Sequence, residues 1–193
     1  MARKIIGILG SPLLEGNTAT LLKQALEGAA AAGSDVERIN VTLLNISPCM
    51  EIFYCVENET CRIQDDMIAV YQKFRDLDGL IIASPVMTMG IPGKLKSFMD
   101  RFQVFYMAKY VRNMSLVPEE KRNSRRCLFI SISGMSNPAV FEGAKMTVKA
   151  FCKIIDCTYS DELLVPDMDT IHDIRTRPEI LQEAYEKGYT LGK

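Results

Sequence analysis

The run Gly79-Leu80-Ile81-Ile82-Ala83-Ser84 constrains this chain more than any other stretch. It shows no polar alternation, so both of its faces must be covered, as in a central parallel strand with helices on either side. Parallel neighbours need crossovers, usually helical ones, and the rest of the chain supplies them. Lys4–Leu9 reads as a first strand. A helical pattern follows over Thr18–Ala32, with Leu21, Leu22, Ala25, Leu26 and Ala29 on one face and Gly33 as its stop. Val36–Leu44 reads as a second strand and Gln64–Arg75 as a second helix, striped by Met67, Val70, Tyr71 and Phe74. After the central strand a helix turns Leu95, Phe98, Met99 and Phe102 inward, and Tyr106–Tyr110 reads as its extension. Val117–Arg126 is charged and expected to be exposed. Cys127–Ser131 is a fourth strand, Ala139–Lys153 a fourth helix, and Ile154–Leu164 holds a fifth strand. The last helix has Thr176 as cap, Pro178 in its first turn, Glu179 at the capping-box position and Gly188 as stop. The expected fold class is α/β: one domain over 1–193, five parallel strands with helices on both faces, a long connection at 45–63 and a C-terminal extension at 165–193.

Composition narrows the function classes. A chain of 193 residues, 48% hydrophobic, can bury one sizeable core. A formal net charge of -1 gives no electrostatic basis for nucleic acid or an anionic membrane. No apolar run reaches spanning length, and Met1-Ala2-Arg3-Lys4 has no signal-peptide pattern. A cytoplasmic location with reduced thiols is the expectation. Cys127, Cys152 and Cys157 lie in apolar context and read as core residues.

In an open parallel sheet, ligands sit beyond the carboxyl ends of the strands, where strand order reverses. Three polar loops leave those ends. Gly10-Ser11-Pro12-Leu13-Leu14-Glu15-Gly16-Asn17-Thr18 joins the first strand to the first helix. Free N–H groups at the helix start, with the Ser11 and Thr18 hydroxyls and the Asn17 amide, would form an anion site. An ordinary capped turn reads equally well. Neither a P-loop nor a dinucleotide fingerprint fits, since no Gly-Lys-Ser/Thr ending follows and the glycines stand at 7, 10 and 16. The second loop, Ser84–Gly93, has a rigid start at Pro85, glycines that permit close backbone approach, and no acid, base or nucleophile suited to hydrolysis. The third, Ser133–Pro138, is small and polar. Together they outline a cleft for a phosphate at one end and a planar heterocycle at the other.

Two motifs carry a resemblance. Gly10-Ser11-Pro12 with Gly16-Asn17-Thr18, and Ser84-Pro85-Val86 with Gly90-Ile91-Pro92-Gly93 running on to Asp100-Arg101, resemble the NAD(P)H-dependent FMN reductase family of flavodoxin-like proteins. Within it they look most like the iron–sulfur flavoprotein branch. The resemblance spans roughly residues 3–160. It implies a three-layer sandwich in strand order 2-1-3-4-5 and a non-covalent FMN. Ser11, Gly16, Asn17 and Thr18 would hold the phosphate. Pro85, Val86, Met87, Thr88 and Gly90 would line the ring, with Ser133 and Gly134 at its far edge. It also implies NAD(P)H as co-substrate and hydride transfer through FMN to a quinone, flavin or other small acceptor. Homodimers or homotetramers are implied too, with Asp100 and Arg101 where helices pair. Met87 departs from the tyrosine that many relatives carry. The rivals are an electron carrier working with ferredoxin and a non-enzymatic flavodoxin-type module.

The same branch carries four cysteines after its second strand. Here Pro48-Cys49, Cys55, Cys61 and Asp65-Asp66 stand, but Ile52 takes the position of the second cysteine. The readings left open for Cys49, Cys55 and Cys61 are a [4Fe–4S] cluster with three thiolates, a zinc site, a disulfide, or free thiols packed on a neighbouring subunit. His172, the only histidine, reads as a solvated loop residue or as one reaching a neighbouring subunit's site. Lys121, Arg122, Arg125 and Arg126 read as a solvated face or as a contact for nicotinamide phosphates. The methionines 87, 89, 99, 107 and 114 read as core or as a wall over the cleft.

Overall fold

In the computed structural model, which describes residues 2–193, five strands form one parallel sheet. They are β1 (Lys4–Leu9), β2 (Asp35–Asn40), β3 (Gly79–Pro85), β4 (Arg126–Ile132) and β5 (Thr158–Val165), in spatial order β2-β1-β3-β4-β5. The helices are α1 (Asn17–Ala31), α2 (Met67–Asp76), α3 (Gly93–Asp100), α4 (Gln103–Tyr110), α5 (Glu119–Arg122), α6 (Glu142–Ile154), α7 (Met168–Ile171) and α8 (Pro178–Gly192). The expected flavodoxin-like sandwich in order 2-1-3-4-5 is the observed one.

Side-chain alternation divides the core. Ile5, Leu9, Ile81, Ala83, Leu128 and Ile130 pack under α1 and α8. Ile6, Ile8, Leu80, Ile82, Cys127 and Phe129 face α2, α3, α4 and α6. The residue-for-residue register of β3 with β1 and β4 puts like faces side by side, and Gly79–Ser84 is buried throughout. The second face is filled by aromatic rings: Phe74 and Phe102 lie 4.5 Å apart, and Phe102 meets Phe151 edge-on at 5.0 Å. Cys127, Cys152 and Cys157 are buried there as expected.

Several boundaries differ from the sequence reading. β2 stops at Asn40, and Val41–Leu43 forms a 3₁₀ turn. β2 is an edge strand bonded only to β1, and their ladder ends at the Leu9–Asn40 pair. The helix after β3 does not run through to Tyr110. It breaks at Arg101–Phe102, where the Arg101 side chain turns inward and is 1% exposed. The capping box of the last helix does not form: the Thr176 hydroxyl donates to the Asp173 carbonyl at 2.7 Å, and Glu179 pairs with Arg177. Gly188 does not end α8. A Cβ there would lie 1.9 Å from the Ala25 carbonyl oxygen, so Gly188 instead lets α8 lie directly on α1. Gly33, with φ of +94°, does terminate α1. No helix among the described residues is long and apolar enough to cross a membrane.

Candidate functional site

The three loops leave the sheet at one level. Gly10 N–H donates to the Ala83 carbonyl (2.8 Å), Val86 to Ile132 (2.8 Å) and Ser133 to Val165 (3.0 Å), each carrying the ladder past its strand. Strand order reverses between β1 and β3, so the crevice opens where Gly10–Gly16 and Val86–Pro92 diverge.

The first loop is held from several sides. A Cβ on Gly10 would meet Leu95 Cδ2 at 2.5 Å, so glycine is required there by the packing of α3. Ser11 is buried, and its Oγ accepts the Leu13 N–H at 3.1 Å. Gly16 is the extended residue before α1. The N–H groups of Asn17, Thr18 and Ala19 open the helix without intrahelical acceptors, and α1 has no acidic residue in its first turn. Thr18 is a buried residue. The Asn17 side chain is engaged elsewhere: Nδ2 donates to the His172 carbonyl at 2.8 Å, and Oδ1 accepts the Ile174 N–H at 3.1 Å. Asn17 therefore ties the C-terminal extension to the loop and offers the crevice its backbone N–H. His172 is exposed, with φ of 58°. One loop residue escaped the sequence reading. Arg38, opposite Gly7 in the ladder, donates from Nη2 to the Leu14 carbonyl at 2.8 Å and steadies the loop. A lone arginine on the strand paired with β1 was the available signal.

The second loop is a two-residue hairpin. Met87 and Gly90 exchange both backbone hydrogen bonds, at 2.9 and 3.0 Å. Thr88 and Met89 at the tip have φ of 49° and 62°, the left-handed pair of a type I′ turn. Its tip rests on α6, where a Cβ on Gly143 would lie 2.3 Å from the Met89 carbonyl oxygen. Pro85 and Val86 are half-buried, whereas Met87, Thr88 and Met89 are exposed. The methionines thus divide: 99 and 107 are core, and 87, 89 and 114 are surface. In the third loop Ser133 Oγ accepts the Met135 N–H at 3.1 Å, and Gly134 lies against the Asp169 carboxylate, 2.4 Å from where a Cβ would stand.

The cysteine loop forms a separate place. Cys49, Cys55 and Cys61 line one cavity of about 580 Å³ with Ile52, Phe53 and Val104 among its other walls. Burial pushes the Cys55 thiol up, its own backbone hydrogen bond opposes this, and Cys61 and Cys49 push it further. Among the described residues no three Cys, His, Asp or Glu side chains form a group able to hold a metal ion. Ile52 is 54% exposed. This donor set does not fit a four-thiolate cluster. Asp100 and Arg101 do not pair with each other. Asp100 pairs with Lys96 one turn back, while Arg101 Nη2 donates to Asp65 Oδ1 at 3.0 Å and Nη1 to the Ser47 carbonyl at 2.8 Å. Burial pushes the Asp65 carboxyl up, but Arg101 and the Ser47 and Met67 amides outweigh it and hold it below the usual range.

The basic stretch before β4 lies at the opposite end of the sheet from the three loops. Arg125 is fully buried and donates to the carbonyls of Ile155 (2.8 Å) and Phe74 (2.7 Å), and Lys121 pairs with Asp78. These residues pin connections together, which corrects both the solvated-face and the cofactor-contact readings for Arg125. Val117 is likewise buried, not exposed.

With this geometry in hand, residues 3–144 match the family described as NADPH-dependent FMN reductase. The chain belongs to that family. Among curated relatives, an iron-sulfur flavoprotein of Methanocaldococcus jannaschii is 37% identical over 110 residues, 57% of each chain. One of Methanosarcina thermophila is 36% identical over 98 residues, 51% of each chain. The chain therefore spans little more than half the length of the curated relatives it matches. Among solved structures, an NAD(P)H:quinone oxidoreductase from Methanothermobacter marburgensis superposes with a TM-score of 0.71 at 16% identity, covering 99% of this chain and 100% of that one. An FMN-dependent NADH-azoreductase from Bacillus anthracis, in complex with FMN, does so with 0.70 at 19% identity, covering 100% and 98%. These likenesses show the fold.

Proposed function

We propose that this chain binds FMN in the crevice between the β1, β3 and β4 loops and works as an NAD(P)H-dependent oxidoreductase with a small organic acceptor. The observation that carries the reading is the start of α1. It has unpaired N–H groups at residues 17–19, the buried residue Thr18, and no carboxylate in its first turn. This donor set suits a phosphate dianion, so the residues present fit FMN. Bound there, FMN would supply two-electron hydride chemistry between a reduced nicotinamide and the acceptor.

The chain's own contribution is placement. Thr18 and the N–H groups of Asn17 and Thr18 would hold the phosphate, while the Ser11 hydroxyl shapes the turn. Pro85, Val86, Met87, Thr88 and Gly90 would lie along the heterocycle, with Ser133 and Gly134 at its far edge. The exposed Met87 and Met89 would give an acceptor a soft, apolar wall. Acceptors of the quinone and azo type are the first to try, because structural neighbours carry those names. A homodimer or homotetramer in the cytoplasm is part of the reading. The reading needs neither a [4Fe–4S] cluster nor a ferredoxin partner.

The test is FMN titration of apo-protein by quenching of flavin fluorescence, followed by NADH and NADPH oxidation with a quinone and an azo dye. Saturable binding with turnover supports the proposal. Binding without turnover points to a flavodoxin-type carrier, and no binding overturns the site.

A further inference from the structure

The segment that follows β5 joins the third loop to the first. It is fastened first to the third loop. The Asp167 N–H donates to the Met135 carbonyl at 3.0 Å and the Met168 N–H to that of Ser133 at 2.9 Å. The Asp169 carboxylate then covers Gly134. Further on it meets the first loop. Among the described residues, Asn17 is the one side chain of that loop bonded to it, through the His172 carbonyl and the Ile174 N–H. Ile174 is fully buried with the residues under α1 and α8. Residues 166–177 are therefore a strap anchored at both ends.

Between the anchors the backbone is strained. His172 has φ of 58° and ψ of -54°, and across it the Asp173 N–H donates to the Ile171 carbonyl at 2.7 Å. That is a γ-turn of the rare, unfavourable kind, made by a residue that has a Cβ. Asp167, before α7, also stands at positive φ, 62°. Such conformations persist only where surrounding contacts impose them. The Asn17 amide grips the chain immediately after the turn, so releasing it lets the turn relax. Opening costs those two side-chain hydrogen bonds and the burial of Ile174, offset by relief of the turn. It need not disturb the sheet.

Asn17 serves two places at once. Its side chain holds the strap, and its backbone N–H opens α1 in the donor set proposed for the phosphate. An anion that fixes this N–H also fixes the stem from which the amide reaches the strap. The two contacts favour one another, and by linkage the closed strap favours the anion by the same factor. We propose that residues 166–177 form a strap latched by Asn17, which opens transiently at His172 in the flavin-free protein and is held shut when the FMN phosphate occupies the start of α1. It rests on the FMN site proposed for the same loops and adds a phosphate-linked change in the chain itself.

Trypsin reads the strap directly. Arg175 lies within it and is followed by Thr176, whereas Arg177 precedes Pro178 and resists cleavage. Cleavage at Arg175 releases residues 176–193, identified by mass, and its rate on native protein follows how often the strap opens. In unmodified protein, saturating FMN should slow this cleavage about tenfold, and riboflavin at equal saturation, lacking the phosphate, should not. Asn17→Ala keeps the backbone N–H and should speed cleavage of flavin-free protein about tenfold, the worth of two side-chain hydrogen bonds. His172→Gly takes the same φ without a Cβ clash and should slow it. FMN that binds yet leaves cleavage unslowed, equal protection by riboflavin, or an unchanged rate in Asn17→Ala would overturn the strap and leave the flavin site standing. An equal or faster rate in His172→Gly would overturn His172 as the hinge. No quenching of flavin fluorescence at all would remove the site, and the strap's ligand with it. Should Asn17→Ala fail to fold, the comparison of FMN with riboflavin on unmodified protein decides alone.

Discussion

Thr88 is the residue whose identity fits its conformation least. A β-branched side chain is seldom found at positive φ, and type I′ turns favour Asn-Gly at their two central positions. Thr88-Met89 occupies them here, with the hairpin held by both Met87–Gly90 hydrogen bonds. Replacing the pair by Asn-Gly should raise stability by about 1 kcal/mol, read as a higher urea midpoint at unchanged m. An unchanged midpoint would mean the turn is not strained. At the same scale, Thr18→Ala should weaken FMN about tenfold, the cost of one hydrogen bond to a charged group. Riboflavin, which lacks the phosphate, should not feel the change. Equal losses for both would move the phosphate away from α1. The expectation that Thr18 and Ser11 form an anion site rests on residue type, and the local hydrogen bond of Ser11 Oγ to the Leu13 N–H was not part of it. Nor was the engagement of Asn17, since its partners lie more than 150 residues away in the chain.

Elements are held together by two contacts that a sequence reads poorly. The first is the α1–α8 crossing. Gly28 and Gly188 let the backbones touch, with virtual Cβ atoms 2.0 Å from the Tyr185 carbonyl oxygen and 1.9 Å from that of Ala25. Gly188→Ala should gain helix propensity yet lose about 2–3 kcal/mol overall through overpacking, measured by chemical denaturation. A neutral or stabilising outcome would show that the helices can separate at little cost. In sequence Gly188 looks like a helix stop, because a close crossing and a C-terminus use glycine alike. The second contact is Arg101 to Asp65, at 1% and 6% side-chain exposure. Asp65→Asn should cost about 3 kcal/mol by leaving a buried charge unpaired. The acid dependence has a fixed sign. The folded carboxyl sits below its ordinary value, so its stabilisation is complete above the unfolded value of about 3.9. It is lost as pH falls through the folded one. Wild type should therefore lose its margin over Asp65→Asn only below about pH 4. A margin that disappears near neutrality would assign the effect to another group.

For the whole molecule, the proposed site gathers loops from three strands and ties one of them to the C-terminal extension through Asn17. Ligand binding should therefore stabilise the fold globally. FMN at 100 times its dissociation constant should add about 2.7 kcal/mol to unfolding. A smaller gain at saturation would mean that the loops order and melt apart from the core. The strand and helix segments and both core faces were legible beforehand, because periodicity of two and of 3.6 residues reports burial directly, whereas strand order came from the resemblance to the FMN reductase family. The shape of 45–63 was not. Three thiols and an isoleucine look like a damaged metal motif in one dimension. Only the packed chain, with Arg101 drawn inward to Asp65 and Arg112 gathering the carbonyls of Cys55, Val56 and Asn58, turns them into the walls of a cavity. Local pattern and residue type determine which segments become strands, helices and polar loops. Which long-range partner claims Asn17, Arg101, Arg125 or Gly188 depends on distances that exist only after the layers have closed.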